Sequence, residues 1–218
     1  MIRSELKSRI LDGINDAGPT IFTGAQLEAL IDEAADFVVA ETRSVKRTCF
    51  VPFRAGATFY STLSCADDMM FPYRLWSQAN DTRLVVTSMS ELDGFMERWQ
   101  DSHRTPEMWF PVAWDMFGIW PSPAEAGGVL RIDYLAWPRS QLDDNDESEL
   151  PLATHDALVL YGQYLGLLKE WDSATAQAAF QSLQQHSTFA NARSGILRVA
   201  HRSFQRSGLH LPHEIRSS

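Results

Sequence analysis

The stretch from Trp120 to Tyr161 marks a change of pattern that constrains the fold of the whole chain. Before it, short apolar and polar runs alternate as they do in strands, and after it apolar residues recur at helical spacing. Within the stretch, a strand at residues 129–137 is followed by an acidic run and then by Leu150 and Pro151, which open a helix. No catalytic motif stands out in it, so we interpret the stretch as a hinge between two building blocks.

A capping box predicts the first long helix. Thr23 and Gln26 have the spacing at which each side chain accepts a hydrogen bond from the other residue's backbone N–H. Phe22 and Leu27 occupy the hydrophobic-staple positions beside it. The helix is expected to reach about Arg43, with a buried stripe of Leu27, Leu30, Ile31, Ala34, Ala35 and Val38. A weaker amphipathic pattern predicts another helix over residues 2–15.

The pattern between Lys46 and Thr87 predicts strands. β-Branched and aromatic runs alternate there with Gly, Pro, Asn and Asp, which is typical of an antiparallel meander. The runs cover residues 48–51, 58–63, 71–76 and 84–87, and further strands are expected at 108–112, 116–120 and 129–137. A second capping box, Ser88 with Glu91, predicts a short helix with the stripe Leu92, Phe95, Met96 and Trp99.

The last predicted strand has two different faces. One face is apolar and consists of Leu130, Ile132, Tyr134 and Ala136. The other mixes Arg131 and Asp133 with the apolar residues Val129, Leu135 and Trp137. Such a mixed face is either the core of a two-layer sheet or a surface that awaits a neighbour.

Helical spacing returns after the acidic run. The first stripe consists of Ala157, Tyr161, Tyr164, Leu165, Leu168 and Trp171. Gly162 and Gly166 are four residues apart, which we attribute to the close approach of another helix. Asp172 and Ser173 can cap a further helix that ends near Gly195, with Ala176, Ala179, Phe180, Leu183 and Ala190 facing inward.

These elements predict an α+β fold, in which N- and C-terminal helices form a bundle and an antiparallel β-rich region is inserted between them. The expected parts are N-terminal helices (1–45), the β-rich insertion (46–139) with its short helix near 89–100, an acidic linker (140–150), C-terminal helices (151–194) and a basic tail (195–218).

Composition restricts the function. The formal charge of −9 argues against a protein that coats duplex DNA, although DNA could still slide past it without adhering. We expect no membrane span, signal peptide, metal or cofactor. Cys49 and Cys65 lack a metal-ligand spacing, and we expect them to be reduced packing residues of a cytosolic protein.

The candidate catalytic residues lack partners in the sequence. His155 and Asp156 begin a helix, and the acidic run has no convergent base or second carboxylate to tune it. In the tail, His210, His213 and Glu214 are metal-ligand types, but Pro212 breaks the helix that would place them. We therefore do not predict an enzyme. The tail is either a basic arm for an acidic partner or a frayed terminus.

The order of these pieces resembles the head-to-tail adaptor (connector) proteins of tailed bacteriophages, including the podovirus tail tubular protein A type and related siphovirus head-completion proteins. The likeness spans roughly residues 22–190. It rests on the helix of residues 22–43, on residues 84–93 with Trp99, and on the segments 106–109, 119–123, 134–139, 142–144, 150–151, 155–158 with Tyr161, 169–172 and 178–180.

The resemblance implies a structural virion protein made in the bacterial host cytoplasm and placed at the head–tail junction. Such proteins form a ring, usually of twelve subunits, beneath the portal, where they extend the DNA channel and provide a platform for a tail, nozzle or stopper protein. Double-stranded DNA would pass without sequence-specific binding. Bundle helices 24–43 and 152–194 would supply the main contact between neighbouring copies.

The resemblance also implies roles for particular residues. The tail would bind the portal through Arg198, Arg202, Phe204, Arg206, Leu209 and Leu211. Neighbouring copies or tail proteins would contact Trp109, Trp114, Trp120 and Trp137. Candidate residues of the DNA channel are Asp143, Asp144, Asp146 and Glu147.

Two alternatives remain open at this point. One is another ring component of the same junction, such as a stopper or tail terminator, although these are usually smaller and mostly β. The other is a small-molecule-binding or hydrolytic domain that uses the β-rich insertion as a pocket.

Overall fold

The computed structural model of the protein describes residues 1–14, 22–78, 80–113, 115–139, 143–169, 172–186 and 189. Within them the fold is mixed α+β, with five α-helices and two four-stranded sheets. The helices are α1 (Arg3–Gly13), α2 (Gly24–Thr42), α3 (Met89–Phe95), α4 (His155–Lys169) and α5 (Ser173–Gln185). The strands are β1 (Lys46–Pro52), β2 (Phe59–Ser61), β3 (Met69–Ser77), β4 (Thr82–Arg83), β5 (Val85–Val86), β6 (Met108–Ala113), β7 (Met116–Trp120) and β8 (Val129–Ala136).

The chain divides into two compact units. The described parts of Met1–Ser44 and Pro138–Ser218 form one, called here the helical unit, and Val45–Trp137 forms the other, the β unit. None of the helices in the described ranges is long and apolar enough to cross a membrane.

Local signals place the starts of α2 and α3 correctly, whereas α4 begins at His155, after a 3-10 turn, and not directly after Pro151. At α2, the Gln26 N–H donates to the Thr23 hydroxyl (3.3 Å) and the Thr23 N–H donates to the Gln26 side chain (3.1 Å). The same reciprocal pair joins Ser88 and Glu91 at α3. The predicted capping boxes are therefore confirmed, and α2 ends where Arg43 adopts a left-handed conformation (φ 53°).

In the helical unit, α4 contacts α1, α2 and α5. A Cβ atom placed on Gly162 would lie 2.6 Å from Cδ1 of Ile10, and one placed on Gly166 would lie 3.2 Å from Cγ2 of Ile14. These distances confirm that the two glycines permit close approach of another element. Without a side chain at either position, the backbone of α4 directly approaches Ile10 of α1 and Ile14, which follows α1.

The predicted stripe of α4 is displaced around the helix. The buried side contains Ala157, Leu158, Val159, Gly162, Gly166 and Leu167. Leu168 is exposed, and Tyr161 is only half-buried, with its ring stacked on Phe37 at 3.9 Å between centroids. The reason is that the closest helix contact centres on the small residues, which leaves the aromatic rings at its margins.

Asp172 caps α5 as predicted, because its carboxylate accepts a hydrogen bond from the Thr175 N–H at 3.2 Å. Ala176 and Leu183 are buried on this helix. However, α5 ends at Gln185, where His186 takes an extended conformation, and not near Gly195. Trp171 and Ala190, which we expected to face inward, lie outside the described residues.

The strands of the β unit do not form a single meander. One sheet has the order β1-β8-β3-β4 and the other β2-β7-β6-β5. The last strand of the region, β8, lies between β1 and β3 and pairs antiparallel with both. The pair β5 and β6 is parallel, which corrects the expectation of a wholly antiparallel region. Period-2 alternation locates strands but does not determine which strands pair.

The short helix α3 is also shorter than its apolar stripe predicts. It ends at Phe95, which is 85% exposed, and the backbone of Met96 is extended. Leu92 and Trp99 are buried as expected, in a cluster with Phe110 and Trp120. Trp99 enters this cluster from a 3-10 turn, so it does not need the helix to continue.

Cys49 and Cys65 form a disulfide, with their Cα atoms 5.9 Å apart. The expectation of two reduced cysteines is therefore wrong. Strand β1 carries Cys49, and the 3-10 turn Thr62–Ser64 ends at Cys65. Only the folded chain brings these positions together, at a separation that suits a disulfide.

Candidate functional site

The acidic segment of residues 143–149 lies along the start of α1. The N–H of Arg3 donates to the carbonyl of Asp146 (3.1 Å), and the N–H of Ser4 donates to the carbonyl of Asp144 (3.0 Å). Lys7 forms ion pairs with Asp144 and with Glu28 of α2. The first N–H groups of a helix lack partners inside it, so the acidic segment satisfies them while placing negative charge at the positive end of the helix dipole.

The candidate channel residues Asp143, Asp144, Asp146 and Glu147 are all exposed on this segment. Two of them interact locally, since Asp144 pairs with Lys7 and the Asp146 carboxylate accepts the N–H of Asp143 at 3.0 Å. The described part of the expected linker is therefore held against α1. That these carboxylates line a channel stays a prediction.

The four candidate interface tryptophans differ in accessibility. Trp109 and Trp120 are 3% and 8% exposed, and the Trp120 indole N–H donates to the Trp99 carbonyl at 2.8 Å. These two side chains belong to the core, where they cannot contact a neighbour directly, so their proposed interface role is corrected. Trp137 is 40% exposed, and Trp114 lies outside the described residues.

The portal-binding candidates Arg198, Arg202, Phe204, Arg206, Leu209 and Leu211 all lie outside the described residues.

A cleft of about 550 Å³ in the helical unit includes the sequence candidates His155 and Asp156. The Nε2 atom of buried His155 donates to the Leu150 carbonyl at 2.9 Å, and Asp156 pairs with Arg9 at 2.9 Å. Burial, followed by the charge of the N-terminal amine, lowers the pKa of His155, so its ring is neutral near pH 7. The histidine thus anchors the loop before α4. Among the described residues, no group of three or more His, Cys, Asp or Glu could hold a metal ion.

The β1-β8-β3-β4 sheet carries an exposed surface that the sequence pattern did not predict. We call it the aromatic–arginine face, and it consists of Lys46, Phe50, Phe71, Tyr73, Arg74, Trp76, Arg83 and Arg131. Phe50 is 55% exposed and Phe71 42% exposed. The mixed alternation of β8 was the one available signal, but it did not reveal which neighbouring strands would complete the surface.

A buried carboxylate lies at the centre of this face. Asp133 is 2% exposed and accepts hydrogen bonds from the Thr48 hydroxyl (2.8 Å) and from the Nε atoms of Arg131 (3.0 Å) and Arg74. Burial alone would raise the pKa of Asp133, but the bonds from Thr48, Arg74 and Arg131 outweigh it and hold the pKa below 3.8. The ionised carboxylate therefore orients both guanidinium groups.

The exposed side of α2 carries small side chains and negative charge. We call it the acidic α2 face, and its exposed residues are Ala25, Ala29, Glu33, Asp36 and Ala40. Burial, then the charges of Asp32 and Glu33, raises the pKa of Asp36. Carboxylates at this spacing repel one another, so a cation supplied from outside the chain would stabilise them.

Comparison with known proteins identifies one related family. The model of a family described as SU10 adaptor protein matches residues 1–208. No curated protein matches the chain.

Proposed function

The chain belongs to the SU10 adaptor protein family, and from this premise we propose that it is a structural head–tail adaptor of a tailed bacteriophage. The observation that carries the proposal is the family match over residues 1–208 of a chain of 218 residues. In this role the protein is a component of the virion that interacts with other head and tail proteins, and it performs no catalysis.

We further propose that copies of the chain form a ring, usually of twelve subunits in such adaptors, beneath the portal. The helices α1, α2, α4 and α5 would form a bundle that contacts neighbouring copies. This is supported by the contacts of α4 with the other three helices. Contacts to the next copy or to the tail protein below would also involve the β unit, through exposed Trp137 and not through buried Trp109 and Trp120.

The negative charge of the protein suits a conduit for DNA. We propose that exposed Asp143, Asp144, Asp146 and Glu147 face the channel, where like charge would prevent the DNA from adhering to the wall. The formal charge of −9 supports this proposal, because a protein that holds DNA needs a surface that neutralises phosphates.

The basic residues 195–218 would bind the portal. Between residues 196 and 218 the sequence contains Arg198, Arg202, Arg206 and Arg216 but only Glu214 as an acid. Such a segment can pair with acidic grooves on a partner, while Phe204, Leu209 and Leu211 could supply apolar contacts.

Negative-stain imaging of the protein mixed with the portal from the same genome tests this function. We expect added ring density at the narrow end of the portal, and loss of this density when residues 196–218 are deleted. A control variant keeps the tail length but replaces Arg198, Arg202 and Arg206 with Gln, which separates the effect of charge from that of chain length. A bare portal beside the full-length protein would contradict the adaptor function, whereas binding that survives the deletion would contradict only the role of the tail.

A further inference from the structure

The aromatic–arginine face is ordered in rows across the sheet. The first row crosses four strands and contains, in order, Phe50 of β1, Arg131 of β8, Trp76 of β3 and Arg83 of β4. The next row holds Thr48, Asp133 and Arg74, and the row after it holds Lys46, Leu135 and Phe71. Because cross-strand partners point to the same side, these residues form one continuous surface.

Its composition is that of a protein interface. Large aromatic side chains and arginines dominate, and they are the residues most often found at the energetic centre of protein–protein contacts. Phe50, Phe71 and Tyr73 are exposed by 55%, 42% and 37% of their surface. DNA phosphates require cations and gain nothing from exposed phenylalanines, so the face fits a protein better than a duplex.

The arginines of this face are already positioned. Both Arg74 and Arg131 form ion pairs with Asp133 while their side chains remain 40% and 42% exposed. A side chain held in place before binding loses less conformational freedom on association. Burial of the aromatic rings would also remove water from around these guanidinium groups and strengthen their interaction with carboxylates.

The charge of the face indicates an acidic partner. It carries the cations Lys46, Arg74, Arg83 and Arg131. Two carboxylates lie beside them. Asp133 already accepts hydrogen bonds from Arg74 and Arg131, and Asp81 accepts one from the Trp76 indole N–H at 3.1 Å. A net positive face on a protein of charge −9 is an asymmetry that favours contact between unlike surfaces.

A second copy of the chain supplies such a surface. The described residues of the helical unit contain more than twice as many Asp and Glu as Lys and Arg. On the acidic α2 face, Glu33 and Asp36 are flanked by exposed alanines, which have no long side chains to hinder an approaching sheet. The acidic α2 face is therefore complementary to the aromatic–arginine face, because its side chains are small and its charge is opposite.

We infer that the aromatic–arginine face of one copy binds the acidic α2 face of the next copy. The contact joins two different surfaces, so it repeats around an axis and generates a ring when the rotation closes. This contact is inferred from the charges and exposed residues of the two faces. Closure of the contacts into a ring rests on the proposed adaptor function, which the inference deepens.

Charge reversal tests the pairing without disturbing Asp133. One variant carries Lys46→Glu and Arg83→Glu on the sheet, and the other carries Glu33→Lys and Asp36→Lys on α2; all four positions are exposed. Assembly is measured by sedimentation velocity of the free protein and by ring density on the portal. We expect each variant alone to associate about tenfold or more weakly than the natural chain, because like charges then meet.

Mixing the two variants should restore assembly. In the mixture, the reversed sheet of one copy meets the reversed helix of the other, and the remaining pair of faces keeps its natural charges. A chain that carries all four substitutions should also assemble. Unchanged melting temperatures would show that each variant is folded.

Cross-linking with a carbodiimide gives an independent measurement. This reagent joins an amine to a carboxylate in direct contact, and we expect Lys46 to be coupled to Glu33 or Asp36. Mixing unlabelled with ¹⁵N-labelled protein distinguishes a bond between copies from a bond within one chain.

The inference is overturned if either variant assembles like the natural chain, if mixing restores nothing, or if the natural chain forms no assembly either free or on the portal. If the variants still assemble but no longer bind a tail protein, the aromatic–arginine face binds that protein and not a second copy of the chain. Portal rings that form normally with each two-substitution variant alone would leave the adaptor function intact without this interface. Conversely, copies that associate through these faces but never bind the portal would support the interface and contradict the adaptor function.

Discussion

Gly162 determines how closely α4 approaches the rest of the helical unit. A Cβ atom at this position would lie 2.6 Å from Ile10 and 3.3 Å from Leu30, and both neighbours are buried. Replacement of Gly162 with Leu should therefore overpack the site and lower the free energy of unfolding by about 1–3 kcal/mol. Urea unfolding followed by circular dichroism measures this change.

Gly24 provides the matched control, because a Cβ atom there meets nothing within 4 Å. The substitution Gly24→Leu should leave the stability unchanged or raise it slightly, since leucine is the better helix former. Equal losses for the two variants would show that the glycine of α4 is not needed for packing.

Asp133 stabilises the β unit through its charge. Its pKa is lowered on folding, so the stabilisation is complete above the ordinary value of 3.8 and is lost as the pH falls through the lower folded value. Replacement with Asn removes the charge that holds Arg74 and Arg131 and should cost about 1–3 kcal/mol near pH 7. Thermal unfolding at several acidic pH values should show a smaller pH dependence for Asp133→Asn than for the natural protein.

Asp67→Asn serves as the control, because Asp67 is exposed. This change should alter the stability by no more than about 0.5 kcal/mol. A parallel acid response in the Asp133 variant and the natural protein would refute the role of the Asp133 charge.

At the scale of elements, helix starts are encoded locally and strand partners are not. The capping boxes at Thr23 and Ser88 require only four consecutive residues, and both are present in the structure. The pairing of β8 with β1 and β3 depends on strands that are distant in the chain. The alternation of β8 was therefore recognised, while the surface that it forms with its neighbours was not.

The Cys49–Cys65 bond joins two such elements, β1 and the turn that follows β2. It closes a short loop with a sequence separation of 16, and cross-links of this size contribute about 3 kcal/mol by restricting the unfolded chain. A reducing agent should thus lower the melting temperature of the natural protein. The variant with Cys49→Ser and Cys65→Ser should melt at the lower temperature with or without the reducing agent. Two titratable thiols in the native protein would contradict the pairing.

At the scale of the molecule, the first and last residues of the β unit lie next to each other in space. The N–H of Ala136 donates to the carbonyl of Val45 at 3.1 Å, so the ends of Val45–Trp137 are adjacent within the unit. A fragment of these residues should fold by itself and unfold cooperatively, because both sheets and the disulfide lie inside it. Circular dichroism and amide proton spectra would establish this.

A shorter fragment that starts at Phe53 is the control. It lacks β1, which pairs with β8 over seven residue pairs, and it also lacks Cys49. We expect this fragment to be unfolded or much less stable. An unfolded Val45–Trp137 fragment would mean that the β unit depends on the helical unit for its stability.

The sequence by itself determined the class of the fold, the positions of most helices and strands, and the small-residue contact of α4. These features depend on residues close together in the chain: capping side chains, apolar spacing, and two glycines one helical turn apart. The ordered likeness to phage adaptors likewise depended on local segments, and the family match over residues 1–208 agrees with it at the level of the adaptor family.

Only the tertiary structure decided which surfaces remain exposed. It buried Trp109 and Trp120, paired Cys49 with Cys65, and held the acidic segment against α1. It also brought Phe50, Arg131 and Trp76 side by side from three strands. Burial and cross-strand pairing depend on contacts between residues far apart in sequence, and a local pattern contains no record of them.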